Sequence, residues 1–213
     1  WDRRWNSKDG RTDWLVPEAR VVDFTKSLSE CGIERVLDLG CGVGRHAVFL
    51  AQQGFVVDAF DASSNGIAFA RQLAEEAGVE IHFQQGMMTH LPYETESFDY
   101  VLAWNVIHHG DHDVVVQSIA EVNRVLRAGG YFQGTMLSKR HDKYGLGREV
   151  SPNTFVIDSE EEKSHPHFYC TARELLELTA GFEPLIMEDA EQVEPRTFHW
   201  TFILQKLKEL ENY

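Results

Sequence analysis

The chain has 213 residues, of which 43% are hydrophobic and 25% charged, and it carries a formal net charge of -14 at pH 7. That size and balance predict one globular domain with a full core, and the acidity repels a polyanion, so nucleic acid is not an expected partner. Cys31, Cys41 and Cys170 lie far apart and form no CxxC pair, which argues against a disulfide framework or thiolate zinc site and for a reducing cytoplasmic setting. No apolar run approaches the roughly eighteen residues of a membrane span. The opening WDRRWNSKDGRTDW is polar and shows no signal-type apolar segment, although the chain begins at Trp1 rather than Met.

Pro17 opens a first helix in which Val21, Phe24, Leu28 and Cys31 recur at helical spacing before Gly32. RVLDLG then reads as a short strand, RHAVFLAQQG as a helix closed by Gly54, and FVVDAFD as a second strand. Ser63 caps the helix SNGIAFARQLAEEAG, and VEIHFQQ and SFDYVLAW are strands three and four. The helix DHDVVVQSIAEVNRVLRAGG places Val115, Ile119, Val122 and Leu126 on one face and stops at Gly129 and Gly130, before YFQGTML as strand five. From 138 to 170 no period is clear, and a stretch of that length inside a compact domain is usually functional or disordered. TARELLELTAGF resumes the order with a capping box, Thr171 to Glu174, and Gly181 as its stop. FEPLIMED and RTFHWTFILQKL form a final antiparallel pair. Strands alternating with helices predict an α/β, doubly wound, mostly parallel sheet that binds ligands at its C-terminal strand edge.

The turn VLDLGCGVGRH, residues 36–46, lets backbone approach a ligand and aims helix amides at it. A dinucleotide fingerprint wants glycine where Arg45 stands, and a Walker-type loop wants GK followed by Ser or Thr, which is absent. Asp38, just before the glycines, suits a cation better than a pyrophosphate. Asp61, ending the second strand, can accept both hydroxyls of a ribose; it also reads as an ordinary helix-start acid. A turn that needs small residues for packing alone is the remaining alternative.

The segments VLDLGCGVGRHAVFLAQQGFVVDAFDAS, LPYETESFDYVLAWNVIHH and EVNRVLRAGGYF resemble, in order and spacing over residues 17–137, the successive motifs of class I S-adenosylmethionine-dependent methyltransferases. The resemblance implies a Rossmann-like, seven-stranded sheet with an antiparallel last strand, with S-adenosyl-L-methionine as cofactor and S-adenosyl-L-homocysteine as product. It further implies that Gly40, Cys41, Gly42 and Gly44 line the methionine part, with Asp38 near its amino group, and that Asp61 and Ala62 hold the ribose. Many relatives place a carboxylate after the glycine that follows strand three; here Met87 stands there, and backbone groups of Met87 and Met88 are left to read the adenine. Trp104 and Asn105 end strand four, where the family offers a backbone carbonyl, and Trp14, in an N-terminal arm and helix spanning 1–31 that also holds Trp1 and Trp5, is a lid candidate.

Methyl transfer is an in-line displacement, so the protein's main task is alignment, worth about 7 to 11 kcal/mol in favourable cases. A base is needed only for a protonated nucleophile. His109, then His108, are the expected site histidines in NVIHHGDH. The segment 138–170 is read as a substrate cap inserted in a single methyltransferase domain of residues 1–213, with Arg140, Tyr144, His165, His167 and Tyr169 as acceptor-side candidates. His165 and His167 could ligate a metal only if the chain folds back toward His108 or His109, and no Cys or acidic pattern completes a zinc signature, so no metal is expected. The expected partner is a small-molecule methyl acceptor, with no membrane partner; the acceptor atom and oligomeric state are open. The rivals are an NAD-linked oxidoreductase and a non-catalytic S-adenosylmethionine-binding protein.

Overall fold

The computed structural model describes residues 5, 14–158, 164–192 and 195–208. In chain order the elements are α1 (Ala19–Glu30), β1 (Arg35–Leu39), α2 (Arg45–Gln52), β2 (Val56–Asp61), α3 (Ser64–Ala77), β3 (His82–Gln85), β4 (Phe98–Ala103), α4 (His112–Val125) and β5 (Leu126–Ser138). After these come β6 (Arg148–Ser151), β7 (Thr154–Val156), β8 (His167–Cys170), α5 (Ala172–Leu178), β9 (Phe182–Glu191) and β10 (Phe198–Lys206).

Strands β3, β2, β1, β4 and β5 lie side by side and run parallel, β10 adds antiparallel to β5, and β9 pairs antiparallel with β10. These are the seven strands expected from the sequence, with the last antiparallel. Three more, β6, β7 and β8, bring the described sheet to ten. Their attachment decides where residues 138–170 sit. Leu137 of β5 pairs with His199 of β10 on one edge and with Tyr169 of β8 on the other, while β4 pairs with β5 only as far as Gly134. Strand β8 therefore occupies the edge that β4 leaves at its C-terminal end, which is where a parallel sheet binds ligands.

Period-two alternation builds both cores. Val36, Val57, Ala59, Tyr100 and Leu102 face α1 and α2, packing with Val21, Leu28, Ala47 and Leu50. Leu37, Leu39, Val101 and Ala103 face the other way, onto Val115, Ile119, Val122 and Val125 of α4. Ser63 caps α3 by accepting from the Gly66 amide at 3.0 Å, and the Thr171–Glu174 capping box is present at α5.

Two boundaries differ from the sequence reading. Helix α4 ends at Val125, because Leu126 is drawn into register with Phe98 and opens β5 well before Tyr131. Helix α5 ends at Leu178, before Gly181, where an added Cβ would stand 2.6 Å from the Asn123 amide; close approach explains that glycine better than a helix stop. Residues 138–170, aperiodic in sequence, contain a small antiparallel meander of β6, β7 and β8. Among the described residues no helix is long and apolar enough to cross a membrane.

Candidate active site

A cavity of about 260 Å³ opens at the C-terminal edge of β1, β2 and β4. Its floor is the glycine turn. Gly40, Gly42 and Gly44 all have positive φ, at 71°, 51° and 86°. At Gly40 a Cβ would lie 2.3 Å from Val106, so the chain can pass there only without a side chain. The turn is tied to the neighbouring strand, since the Gly40 and Cys41 amides both donate to Phe60 O, at 2.7 and 3.1 Å.

Asp61 buttresses the same turn. Its two carboxylate oxygens accept from the Gly42 and Ser63 amides, each at 2.7 Å, so the helix-start role and a place on the cavity wall coexist in one side chain. A carboxylate oxygen carries two lone-pair sites, so accepting a backbone amide does not prevent it from accepting a ligand hydroxyl. Asp38 is placed differently. Strand alternation points it toward α2, where it is 1% exposed and does not line the cavity. Burial pushes its carboxyl up to about 7, against the lowering effects of a hydrogen bond from the Ala47 backbone and the charge of Arg45. Its Oδ2 has no hydrogen-bond partner among the described residues. Burial likewise pushes the Cys41 thiol up, with the charges of Asp61 and Asp38 adding to the effect, so Cys41 presents a neutral thiol.

Residues 36–130 match the methyltransferase-domain family. Methyltransferase GfsG of Streptomyces halstedii is 40% identical over 100 residues, covering 45% of this chain and 35% of that protein. A solved S-adenosylmethionine-dependent methyltransferase from Methanosarcina mazei superposes with a TM-score of 0.76 at 21% identity, covering 92% of this chain and all of that one. A Burkholderia thailandensis 1,6-didemethyltoxoflavin-N1-methyltransferase, solved with 1,6-didemethyltoxoflavin and S-adenosylhomocysteine, superposes with a TM-score of 0.70 at 24% identity, covering 94% and 83%. Over residues 36–130 the chain is similar to methyltransferase domains, and its fold is that of solved S-adenosylmethionine-dependent methyltransferases. It spans only 35% of the length of the curated relative GfsG.

Of the residues expected to hold a cofactor, Gly40, Cys41, Gly42, Asp61, Ala62, Met87, Met88, Trp104, Asn105 and Trp14 line the cavity. Gly44 stands behind it, where a Cβ would meet Ala70 at 2.7 Å. Met87 is 61% exposed, a rim residue whose unbranched thioether can adapt to a ligand. Trp104 carries an indole N–H with no acceptor among the described residues, a donor that a ligand carboxylate can satisfy.

The arm adds Trp5 to the cavity wall beside the expected Trp14. Trp5 is buried against the glycine turn, 3.2 Å from where a Gly42 Cβ would stand and 3.1 Å from a Gly66 Cβ. Trp14 meets Trp5 edge-on at 5.7 Å and is stacked by the Arg45 guanidinium at 5.0 Å. The signal was present in Gly66, a glycine inside a helix with no turn to explain it. Residues 1–4 and 6–13 of the arm, Trp1 among them, lie outside the described residues.

On the acceptor side only His109 and His165 of the expected residues reach the cavity wall. His108 and His167 lie directly behind them, buried. Arg140 is turned away, 62% exposed on its side chain, stacked on Phe198 at 4.0 Å and 3.4 Å from Asp189. Tyr144 and Tyr169 pack with Phe155 into the core of the cap, with the Tyr144 hydroxyl bonded to Asn153. All three correct the sequence expectation, because aromatic and basic residues in an aperiodic segment served to build the cap and dock it.

Proposed function

We propose that the protein transfers a methyl group from S-adenosylmethionine to a small molecule held between the glycine turn and the histidines beneath the cap, with residues 138–170 as the substrate cap. The observation that carries this reading is the glycine turn, strand-end carboxylate and unsatisfied indole N–H gathered around one cavity that two histidines also line. When bound, S-adenosylmethionine supplies a methyl group on a positively charged sulfur, which keeps the carbon–sulfur electron pair as the acceptor's lone pair forms the new bond.

The chain's own residues bind, orient and exclude water. Asp61 and the Ala62 backbone hold the ribose end, the Met87 and Met88 segment the base, and the turn with Trp104 the amino-acid end. Trp5 and Trp14 close the cavity from the arm side, and drying the site strengthens each polar contact within it. His109 donates Nε2–H to Asn105 O at 3.0 Å, because a carbonyl only accepts, which leaves the lone pair on Nδ1, 2.9 Å from His165 Nε2. An acceptor that carries a proton passes it to this pair. The Burkholderia relative is named for a heterocyclic small molecule, which supports an acceptor of that size class.

The test is an acceptor screen with labelled methyl donor, run with wild type and His109→Gln. Label transferred to a small molecule and lost in the variant supports the reading. Binding of S-adenosylhomocysteine without transfer to any small molecule would favour a cofactor-binding protein without catalysis.

A further inference from the structure

We propose that His108, His109 and His167 form a binding site for a borderline divalent transition metal, zinc or a close neighbour, at the seam between the cap and the sheet. One potential ligand nitrogen from each lies within 4.8 Å of the others, with His108 and His167 buried and His109 partly so. No sequence spacing suggests this trio, which is assembled by the return of β8.

The seam is fixed by backbone. The Gly110 amide donates to Pro166 O at 2.9 Å and the Phe168 amide to His108 O at 3.0 Å, forming an antiparallel bridge between His109 and His167. The side chains that converge there are carried on stapled segments.

Their tautomers are set as well. His167 Nδ1 lies 2.8 Å from His165 O, and His109 Nε2 lies 3.0 Å from Asn105 O. Each of those nitrogens must therefore carry the proton, which leaves the lone pairs on His167 Nε2 and His109 Nδ1, the latter accepting from His165 Nε2–H at 2.9 Å, a hydrogen bond that a metal displaces. A ligating histidine whose second nitrogen donates to a backbone carbonyl is the recurring outer-shell arrangement of metal sites. The Asn105 carbonyl is itself held in place. Asn105 sits at φ 57°, with its amide donating to Thr135 Oγ1 at 2.8 Å and the Thr135 hydroxyl donating to Asn105 Oδ1 at 2.9 Å.

Three neutral imidazoles and no carboxylate select zinc, cobalt, nickel or copper over magnesium or calcium. Tetrahedral zinc, with nitrogen at about 2.0–2.1 Å, wants its ligand atoms roughly 3.4 Å apart, so the rings must draw in by about an ångström. His109 lines the cavity together with His165, so the proposed site adjoins the acceptor space. The site rests on the histidine geometry alone; its role rests on the methyl-transfer reading. In that role the ion takes an acceptor oxygen, nitrogen or sulfur in its open position and lowers its pKa, replacing the imidazole as the means of activation.

The test uses the full chain stripped with a chelator and titrated with Co2+ and then Zn2+, without S-adenosylhomocysteine. One equivalent of cobalt with the visible bands of four-coordination, displaced by zinc, is expected. His109→Gln and His167→Gln each lower affinity by more than the about 10- to 100-fold that loss of an outer-shell partner costs, whereas His82→Gln, an exposed histidine on β3, changes nothing. Absence of binding to wild type, or binding undiminished in both variants, overturns the site. Circular dichroism and melting accompany each titration, and if His167→Gln does not fold, the less buried His109→Gln carries the test. A parallel S-adenosylhomocysteine titration separates the two claims: cofactor binding without metal binding overturns only the site, and metal binding without cofactor binding overturns only the methyl-transfer reading.

Discussion

On the glycine wall of the cavity the backbone itself is the surface: Gly40 and Gly42 have positive φ, and the Phe60 carbonyl and the Asp61 carboxylate accept the turn's amides. Where the histidines line the cavity the surface is side chain, delivered from two segments more than fifty residues apart and joined by two backbone hydrogen bonds between 108–110 and 166–168. A wall made by one contiguous turn keeps its shape whatever the acceptor. A wall that includes residues of a short meander can change without disturbing the sheet.

Substitutions at the two walls should therefore read out differently. The largest effect is expected for Gly40→Val, which places a branched side chain at φ 71° against Val106. Left-handed backbone costs about 1–3 kcal/mol and overpacking a similar amount, so melting should fall by many degrees and S-adenosylhomocysteine binding should vanish; retained binding would mean that the turn does not form the wall. Next is Asp61→Ala. Losing a charged hydrogen-bond acceptor costs about 1.5–3 kcal/mol, or roughly 10- to 150-fold in affinity by calorimetry. Wild-type affinity in this variant would reduce Asp61 to a helix-start residue.

Asp38→Asn probes the layer beneath the turn. Burial raises the Asp38 carboxyl from 3.8 to about 7. Between those values the folded chain holds a proton that the unfolded chain has released, so this group's contribution to stability is complete below about pH 4 and is lost as pH rises through about 7. Denaturant melts at pH 4, 6 and 8 should show wild type losing stability relative to the Asp38→Asn variant, by up to about 1.4 kcal/mol per pH unit over that window. Parallel curves would show that Asp38 ionises freely. The smallest effect is expected for Lys139→Met, which removes a partly exposed ion pair with Glu174 at the foot of the cap. Stability should change by no more than about 1 kcal/mol, with S-adenosylhomocysteine affinity unchanged; a large loss of that affinity would tie the cap to the cofactor wall.

The same contrast explains what could be read from the chain. The glycine turn, Asp61, the Ser63 cap and the Thr171–Glu174 box are local patterns in which the residue type and its backbone need coincide, and each is present. The doubly wound, mostly parallel sheet was legible because apolar alternation marks the strands and right-handed crossovers limit their arrangement, whereas the strand order came only from the structure. The cap was opaque because β6, β7 and β8 are only three or four residues long, too short for a period to declare itself. Strand pairing with Phe98 took Leu126 from the helix into β5, an effect of tertiary contact on a residue whose local pattern is helical. Asp38 looked ready to meet a cation, and only the alternation of β1, which turns it under α2, places it away from the cavity. The convergence of His108, His109 and His167 depends on a backbone bridge between distant segments, which no local pattern encodes.

The central claim is that the glycine-wall cavity holds the methyl donor. Calorimetric titration of the full chain with S-adenosylhomocysteine, with NADH in parallel, tests it directly. One equivalent of S-adenosylhomocysteine bound and no heat from NADH are expected. Binding of NADH alone would contradict it and assign the turn and Asp61 to a nicotinamide dinucleotide.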